Sequence, residues 1–364
     1  MTNTQNPDPD ALRMMSFTVF SKLEGAVTAG MIHLGDSLGI YADLASRTSP
    51  VPVRELAASL GLHERWVREW ASNQVAARIV SCTDMADGSM PLFLTAEAKC
   101  VLASPGHPAF GMGMFHRLPQ TMGALNDMPQ SFATGIGHDY DSHGPEGAVG
   151  IERSFEPWNQ NFLVPVVIPA LDGVREALER GTRVADIGCG AGGAAILLAS
   201  TFPASTVEGY DISRHALDRA RTRKAQAGVE NVDFRDPRDL PIAEDGSYGL
   251  VCTFDCIHDM THPFEMMRTI RRAIADDGTW LLVDIKALDT LEENVTRNPM
   301  APLLYGISVL SCMSSAMSAP DGAGLGTLGL PESRAREMAE RAGFTRFRRL
   351  DVEHSVNAFY EIRP

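Results

Sequence analysis

At 364 residues the chain is long enough for about two ordinary domains, each able to bury its own core. A composition of 44% hydrophobic and 21% charged residues excludes a disordered or fibrous chain, and a formal net charge of −14 speaks against general affinity for nucleic acid or an anionic membrane. The six cysteines (Cys82, Cys100, Cys189, Cys252, Cys256, Cys312) form no C-x-x-C pair, so neither a disulfide framework nor a zinc ribbon is expected, and a reducing, cytoplasmic compartment is the simplest setting. Residues 1–10 are polar, unlike a secretory signal, which is basic and then apolar. The apolar stretch from Phe162 to Leu171 is broken by Pro165 and Pro169 and falls short of the roughly 20 residues that span a bilayer, so no membrane segment is expected.

Residues 11–45 carry apolar positions at helical spacing (Leu12, Met15, Val19, Leu23, Val27, Met31, Leu34, Leu38), with a helix end at Gly39 and Ile40. Val53 to Leu60 and Glu64 to Arg78 read as two helices joined by a tight turn at Gly61. A hairpin follows, Ile79 to Cys82 and Leu92 to Thr95 about Asp87-Gly88, which completes a winged helix. Residues 103–150, rich in Gly, Pro, His and Met, read as a connector with short helices, and Phe155 to Arg180 returns to a helical pattern. From there strand-like runs (183–187, 206–210, 232–235, 250–254, 280–285, 346–351, 358–362) alternate with helical ones, which predicts a mostly parallel α/β sheet covered on both faces. The domain boundaries expected are 1–105, 106–165 and 166–364, the last with a lid-like insertion at 287–330.

The strongest motif runs from Val184 to Gly193, a strand entering a glycine loop that opens a helix. Gly188, Gly190 and Gly193 satisfy G-x-G-x-x-G, and Asp211 lies 19 residues beyond Gly192, so a nicotinamide oxidoreductase is a live reading. Asp186 tips the balance. A carboxylate at the strand end would repel a pyrophosphate but suits the ammonium and sulfonium of S-adenosylmethionine. Asp211 can accept from both ribose hydroxyls, Ile212 can cover adenine, and Asp236 can accept from the adenine amino group. All three acids close consecutive strands, where open α/β sheets bind ligands.

On these residues the run from Arg183 to Ile285 resembles a class I S-adenosylmethionine-dependent methyltransferase. Gly39 to Leu44, Val53 to Val80 and Leu94-Thr95 are similar to the winged-helix dimerisation domain of small-molecule O-methyltransferases. Phe254 to Met260, Val283 to Lys286 and Gly322 to Thr327 look closest to a bacterial subgroup, with mycobacterial members, that carries such a front end. The resemblance implies a seven-stranded Rossmann-like sheet of order 3-2-1-4-5-7-6 with the last strand antiparallel, and a homodimer held by the N-terminal domain. It implies a cofactor site of Asp186, Gly188, Cys189, Gly190, Gly192, Asp211, Ile212, Asp236, Pro237, Phe254 and Asp255, with S-adenosylhomocysteine as product.

A sulfonium methyl is already electrophilic, so the enzyme chiefly orients a nucleophile, and a base is needed only if that nucleophile carries a proton. Asp284 to Leu291, after the fifth strand, holds no histidine. His258 and Asp259, after the fourth, are the catalytic candidates, with a helix-capping role for His258 as the alternative. His258 and His262 lie four apart, but Pro263 and the absence of a nearby third ligand argue against a metal, and none is expected. Trp158, Phe162, Tyr305, Cys312 and Met313 are candidates to line an apolar acceptor pocket, with His116 beside them. Residues 1–110 hold eight basic and eleven acidic side chains, so the winged helix is not expected to grip DNA, which demands clustered Lys and Arg. The function expected is methyl transfer to a small, partly hydrophobic acceptor, at oxygen ahead of nitrogen or carbon. The alternatives are a transcriptional regulator that senses S-adenosylmethionine and an NAD-dependent oxidoreductase.

Overall fold

In the computed structural model, which describes residues 7–364 apart from position 87, Asp8 caps the first helix by accepting from the backbone N–H of Asp10. That helix, α1 (Pro9–Ser37), ends where Gly39 takes the left-handed conformation at φ +72°, and α2 (Ile40–Ser46) starts at once. The strand β1 (Val51–Pro52) and helices α3 (Val53–Ser59) and α4 (Glu64–Ala76) follow, then β2 (Ser81–Cys82) and β3 (Pro91–Phe93). The expected hairpin forms with Ser81 opposite Phe93; β1 adds a third strand too short to read from periodicity. Asp87 lies outside the described residues. Val53, Leu56, Ala71 and Leu92 are fully buried in this winged helix, whereas Leu12, Met15, Phe17, Phe20 and Leu23 of α1 are exposed.

The chain divides into two compact units, one up to Leu118 and one from Pro119. In the second, the helix expected from Phe155 to Arg180 is broken. Helix α5 (Gly144–Trp158) runs into a π-helical stretch at Asn159–Val167, and further turns occupy Ile168–Ala170 and Val174–Arg180. Pro165 lacks the N–H that an α-helix needs and lies within the π-helical stretch, while Pro157 falls in the last turn of α5 and Pro169 at the start of the short turn that follows.

Seven strands then form the sheet: β4 (Arg183–Ile187), β5 (Thr206–Tyr210), β6 (Val232–Arg235), β7 (Tyr248–Phe254), β8 (Ile274–Ile285), β9 (Arg346–Arg349) and β10 (Asn357–Arg363). Their spatial order is β6-β5-β4-β7-β8-β10-β9, with β10 antiparallel to both neighbours, which is the expected 3-2-1-4-5-7-6 pattern. The helices used below are α6 (Gly193–Thr201), α7 (Arg214–Ala227), α8 (Pro263–Ala273), α9 (Ala301–Leu310), α10 (Cys312–Ala316) and α11 (Glu332–Ala342). Side chains alternate across the strands, so Val184, Leu250 and Leu281 enter one core while Ala185, Val251 and Leu282 enter the other. Burial on both faces explains why these strands read as continuous apolar runs. The register pairs Asp186 with Gly209 of β5 and with Cys252 of β7, so the acid sits in the central strand.

Candidate functional site

The carboxyl ends of β4, β5, β7 and β8 carry the candidate chemistry. Asp186 is fully buried, and neither of its oxygens has a hydrogen-bond partner. Burial, followed by the neighbouring Asp211, pushes its pKa up to about 7, with only a weaker opposing pull from the backbone N–H of Ala195. A buried carboxylate so poorly compensated is what a cationic ligand would relieve.

The loop after β4 is open where a ligand would approach. Gly190 has φ +54° and nothing within 4 Å of where a Cβ would stand, while at Gly192 (φ +75°) a Cβ would meet the Phe234 ring at 2.4 Å. Asp211 ties this loop to β5: its oxygens accept from the backbone N–H of Gly190 and of Ser213, each at 2.8 Å. Burial raises its pKa against those two bonds. The Ile212 side chain beside it is 48% exposed, as a surface awaiting a flat apolar ligand would be. Cys189 is buried, with its sulfur turned toward Gly209 and its thiol pKa pushed well up by burial and by Asp211.

Asp236 follows β6, and Pro237 opens the turn after it. Its carboxylate is gripped by Arg238, with Nε to Oδ1 at 2.9 Å and Nη2 to Oδ2 at 2.6 Å, and this ion pair holds its pKa below the usual range. Arg238 also donates to the Ile212 carbonyl at 2.6 Å and so bridges the ends of β5 and β6. Sequence pattern alone does not single out this arginine, because a charged residue in a loop is usually solvated.

His258 lies in a single turn of 3-10 helix, Ile257–Asp259, after β7. Its Nδ1 meets Oδ1 of Asp284, at the end of β8, at 2.6 Å; both residues are buried. Burial alone would lower the histidine's pKa, but Asp284 and Asp259 outweigh it and hold it well above the ordinary value. Asp284 was missed in the sequence reading, although a carboxylate closing the apolar run Leu281-Leu282-Val283 is a detectable signal. Asp255, just before this turn, sits at φ +48°, is bonded by the Asn357 side-chain amide, and has its pKa raised by burial and by Asp284.

The structure gathers Cys312, Trp158 and Phe162 into two separate groups. Helix α10 packs on the His258 turn and brings Cys312 to His258 and Asp259. The Gly-rich insertion clamps the same turn through Gly326 N–H to the His258 carbonyl at 3.1 Å and Ala323 N–H to that of Thr261 at 2.9 Å. Met313 and Tyr305 are partly exposed nearby in sequence, on α10 and α9. Trp158 stacks on Phe359 at 5.8 Å and tilts against Phe254 at 5.5 Å, while Phe162 meets His354 edge-on at 6.1 Å; these form a second, aromatic group. His262 pairs with Asp321 at 3.1 Å instead of turning to His258, and His116 belongs to the first unit. Asn159 is a further unanticipated residue: it is buried, and its amide nitrogen would lie 2.7 Å from a Cβ on Gly193, at the start of α6.

Residues 178–317 match a family model described as a methyltransferase domain, and residues 26–95 match an Rv2258c-like winged HTH domain. Among curated relatives, methyltransferase GfsG of Streptomyces halstedii is 33% identical over 119 residues, 32% of this chain and 42% of that protein. The fatty-acid O-methyltransferase of Mycolicibacterium smegmatis is 31% identical over 106 residues, 29% of this chain and 38% of that one. The matches thus span less than half the length of either relative. Among solved structures, human N-acetylserotonin methyltransferase in complex with S-adenosylmethionine superposes with a TM-score of 0.65 at 17% identity, covering 100% of this chain and 99% of that one.

Proposed function

We propose that this chain, which belongs to the class I S-adenosylmethionine-dependent methyltransferases with an N-terminal winged-helix domain, transfers the methyl group to an oxygen of a small, partly hydrophobic acceptor. The observation that carries this reading is the partnerless, buried Asp186 beside an open glycine loop and Asp211. Those residues fit a ligand that brings an ammonium, a sulfonium and a ribose diol. When bound, that ligand supplies an electrophilic methyl group.

The chain's own residues then have three tasks. Asp186 neutralises cationic charge in a dry site, where the interaction is stronger than in water. Asp211, already rigid through Gly190 and Ser213, presents its remaining lone pairs to the ribose hydroxyls. His258, oriented by Asp284, takes the proton of an acceptor hydroxyl at Nε2. Its raised pKa makes the neutral imidazole a stronger base than ordinary histidine. Trp158, Phe162, Tyr305, Cys312 and Met313 are proposed to shape the acceptor side. The fatty-acid and ubiquinone-type O-methyltransferases among the relatives support a lipophilic acceptor.

The exposed apolar stripe of α1 supports a homodimer. No helix among the described residues is long and apolar enough to cross a membrane, and all six cysteines are free thiols, which supports a cytoplasmic setting. The regulator reading is disfavoured: on α4, Arg65 pairs with Glu69 and Arg68 with Glu64, so those cations are already engaged. The test is incubation with methyl-labelled S-adenosylmethionine and fatty-acid or phenolic acceptors. Labelled ester or ether is expected, with ether formation on the phenolic acceptor strongly reduced in His258→Ala because only the hydroxyl carries a proton to remove; label appearing on nitrogen or carbon, or on none of these acceptors, would overturn the assignment.

A further inference from the structure

We propose that His258, Asp259 and Cys312 form a binding site for one zinc ion, which occupies the imidazole nitrogen otherwise offered to the acceptor. One ligand atom from each residue, an imidazole nitrogen, a carboxylate oxygen and a thiol sulfur, lies within 4.8 Å of the other two. Tetrahedral zinc, with bonds of ~2.0–2.3 Å, sets its ligand atoms roughly 3.3–3.7 Å apart. The three atoms therefore need to close by at most about 1.5 Å, and His258 Nε2 already stands 4.0 Å from Asp259 Oδ1.

The surroundings have the form of a metal site's outer shell. The other ring nitrogen of His258, Nδ1, is held by Asp284 at 2.6 Å, and a carboxylate in that position fixes the tautomer and orientation of a metal-ligating histidine. Oδ2 of Asp284 is buried with no partner, and the partly buried Asp255 stands close to it. Three carboxylates around one imidazole leave negative charge that a divalent cation offsets. The mixed nitrogen, oxygen and sulfur set selects zinc over magnesium or calcium, which take oxygen ligands. Three protein ligands leave the fourth position to water or to an acceptor oxygen.

The ligands also come from two elements that already touch. His258 and Asp259 stand on the turn after β7, and Cys312 opens α10, which packs on that turn. Metal binding would pin the two together and displace any protons the ligand atoms carry to solvent, with no change of oxidation state. The site itself stands apart from the methyl-transfer reading; only its inhibitory consequence rests on that reading.

The experiment titrates cobalt(II), a spectroscopic stand-in for zinc, into the full chain in thiol-free buffer. One equivalent is expected to give the intense visible bands of tetrahedral cobalt and a sulfur-to-cobalt charge-transfer band, both abolished by added zinc. Cys312→Ser and Cys312→Ala should both lose the charge-transfer band while keeping the wild-type circular dichroism, and Asp259→Asn should weaken cobalt binding at least about tenfold. Weak octahedral bands in the wild type, or a charge-transfer band that survives in both Cys312 variants, would overturn the proposal. Because this readout needs no acceptor, it separates failure of the metal site from failure of the methyltransferase assignment.

Discussion

Replacing Asp186 with asparagine should affect folding and ligand binding in opposite directions. The folded chain holds the Asp186 proton far more tightly than an unfolded chain, since burial and Asp211 move its pKa from 3.8 to about 7. At ~1.4 kcal/mol per pH unit, that difference of about three units makes the ionised form cost roughly 4 kcal/mol of stability. The sign follows from the direction of the shift: the cost is absent below about pH 4, grows as pH rises, and is complete above about pH 7. Asparagine removes the charge but leaves an amide without partners, which costs about 1–3 kcal/mol. Asp186→Asn should therefore be more stable than wild type by about 1–3 kcal/mol at pH 8, with the gain falling to about zero at pH 5. Urea unfolding at the two pH values measures this directly. The same variant should bind S-adenosylmethionine about 10- to 150-fold more weakly, the equivalent of losing about 1.5–3 kcal/mol from a charged hydrogen bond. Wild-type affinity should also weaken as pH falls below about 7, because Asp186 must then give up a proton to pair with a cation. A variant no more stable than wild type at pH 8, with unchanged cofactor affinity, would refute the reasoning.

Other consequences are equally specific. Asp284→Asn should lower kcat about 10- to 100-fold while leaving the dissociation constant for the cofactor within about twofold, because it disorients His258 without touching the glycine loop; a matching loss of cofactor affinity would show that Asp284 supports the loop instead. Gly192→Ala should destabilise the chain by about 1–3 kcal/mol in thermal unfolding, since its Cβ meets the Phe234 ring and its φ is +75°; an unchanged Tm would show that the loop relaxes freely. Phe17→Asp on the exposed stripe of α1 should shift sedimentation from dimer to monomer; a wild-type dimer in that variant would place the interface elsewhere.

The sheet was legible because its signals are local. The central parallel strands carry short apolar runs buried on both faces and bounded by turn residues, and the acid at the end of β4, β5 or β6 stands out against them. Helix ends written by Gly39 and Gly61 were equally plain. The stretch from Phe155 to Arg180 was harder, because its apolar period persists while the turns widen around Pro165. The site was legible where one residue type does one task at one strand end, as at Asp186 and Asp211. It was not legible where the task belongs to a pair distant in sequence. The partners Asp284 of His258 and Arg238 of Asp236 become visible only when neighbouring strand ends are brought side by side, and Cys312 joins His258 only through the packing of α10.

Whether the β4 and β5 ends hold a cationic methyl donor is decided by isothermal titration of the full chain with S-adenosylmethionine, S-adenosylhomocysteine and NAD. One-to-one binding of the first two, lost in Asp211→Ala, and no binding of NAD are expected; binding of NAD alone, or undiminished S-adenosylmethionine affinity in Asp211→Ala, would show that these strand ends do not form that site.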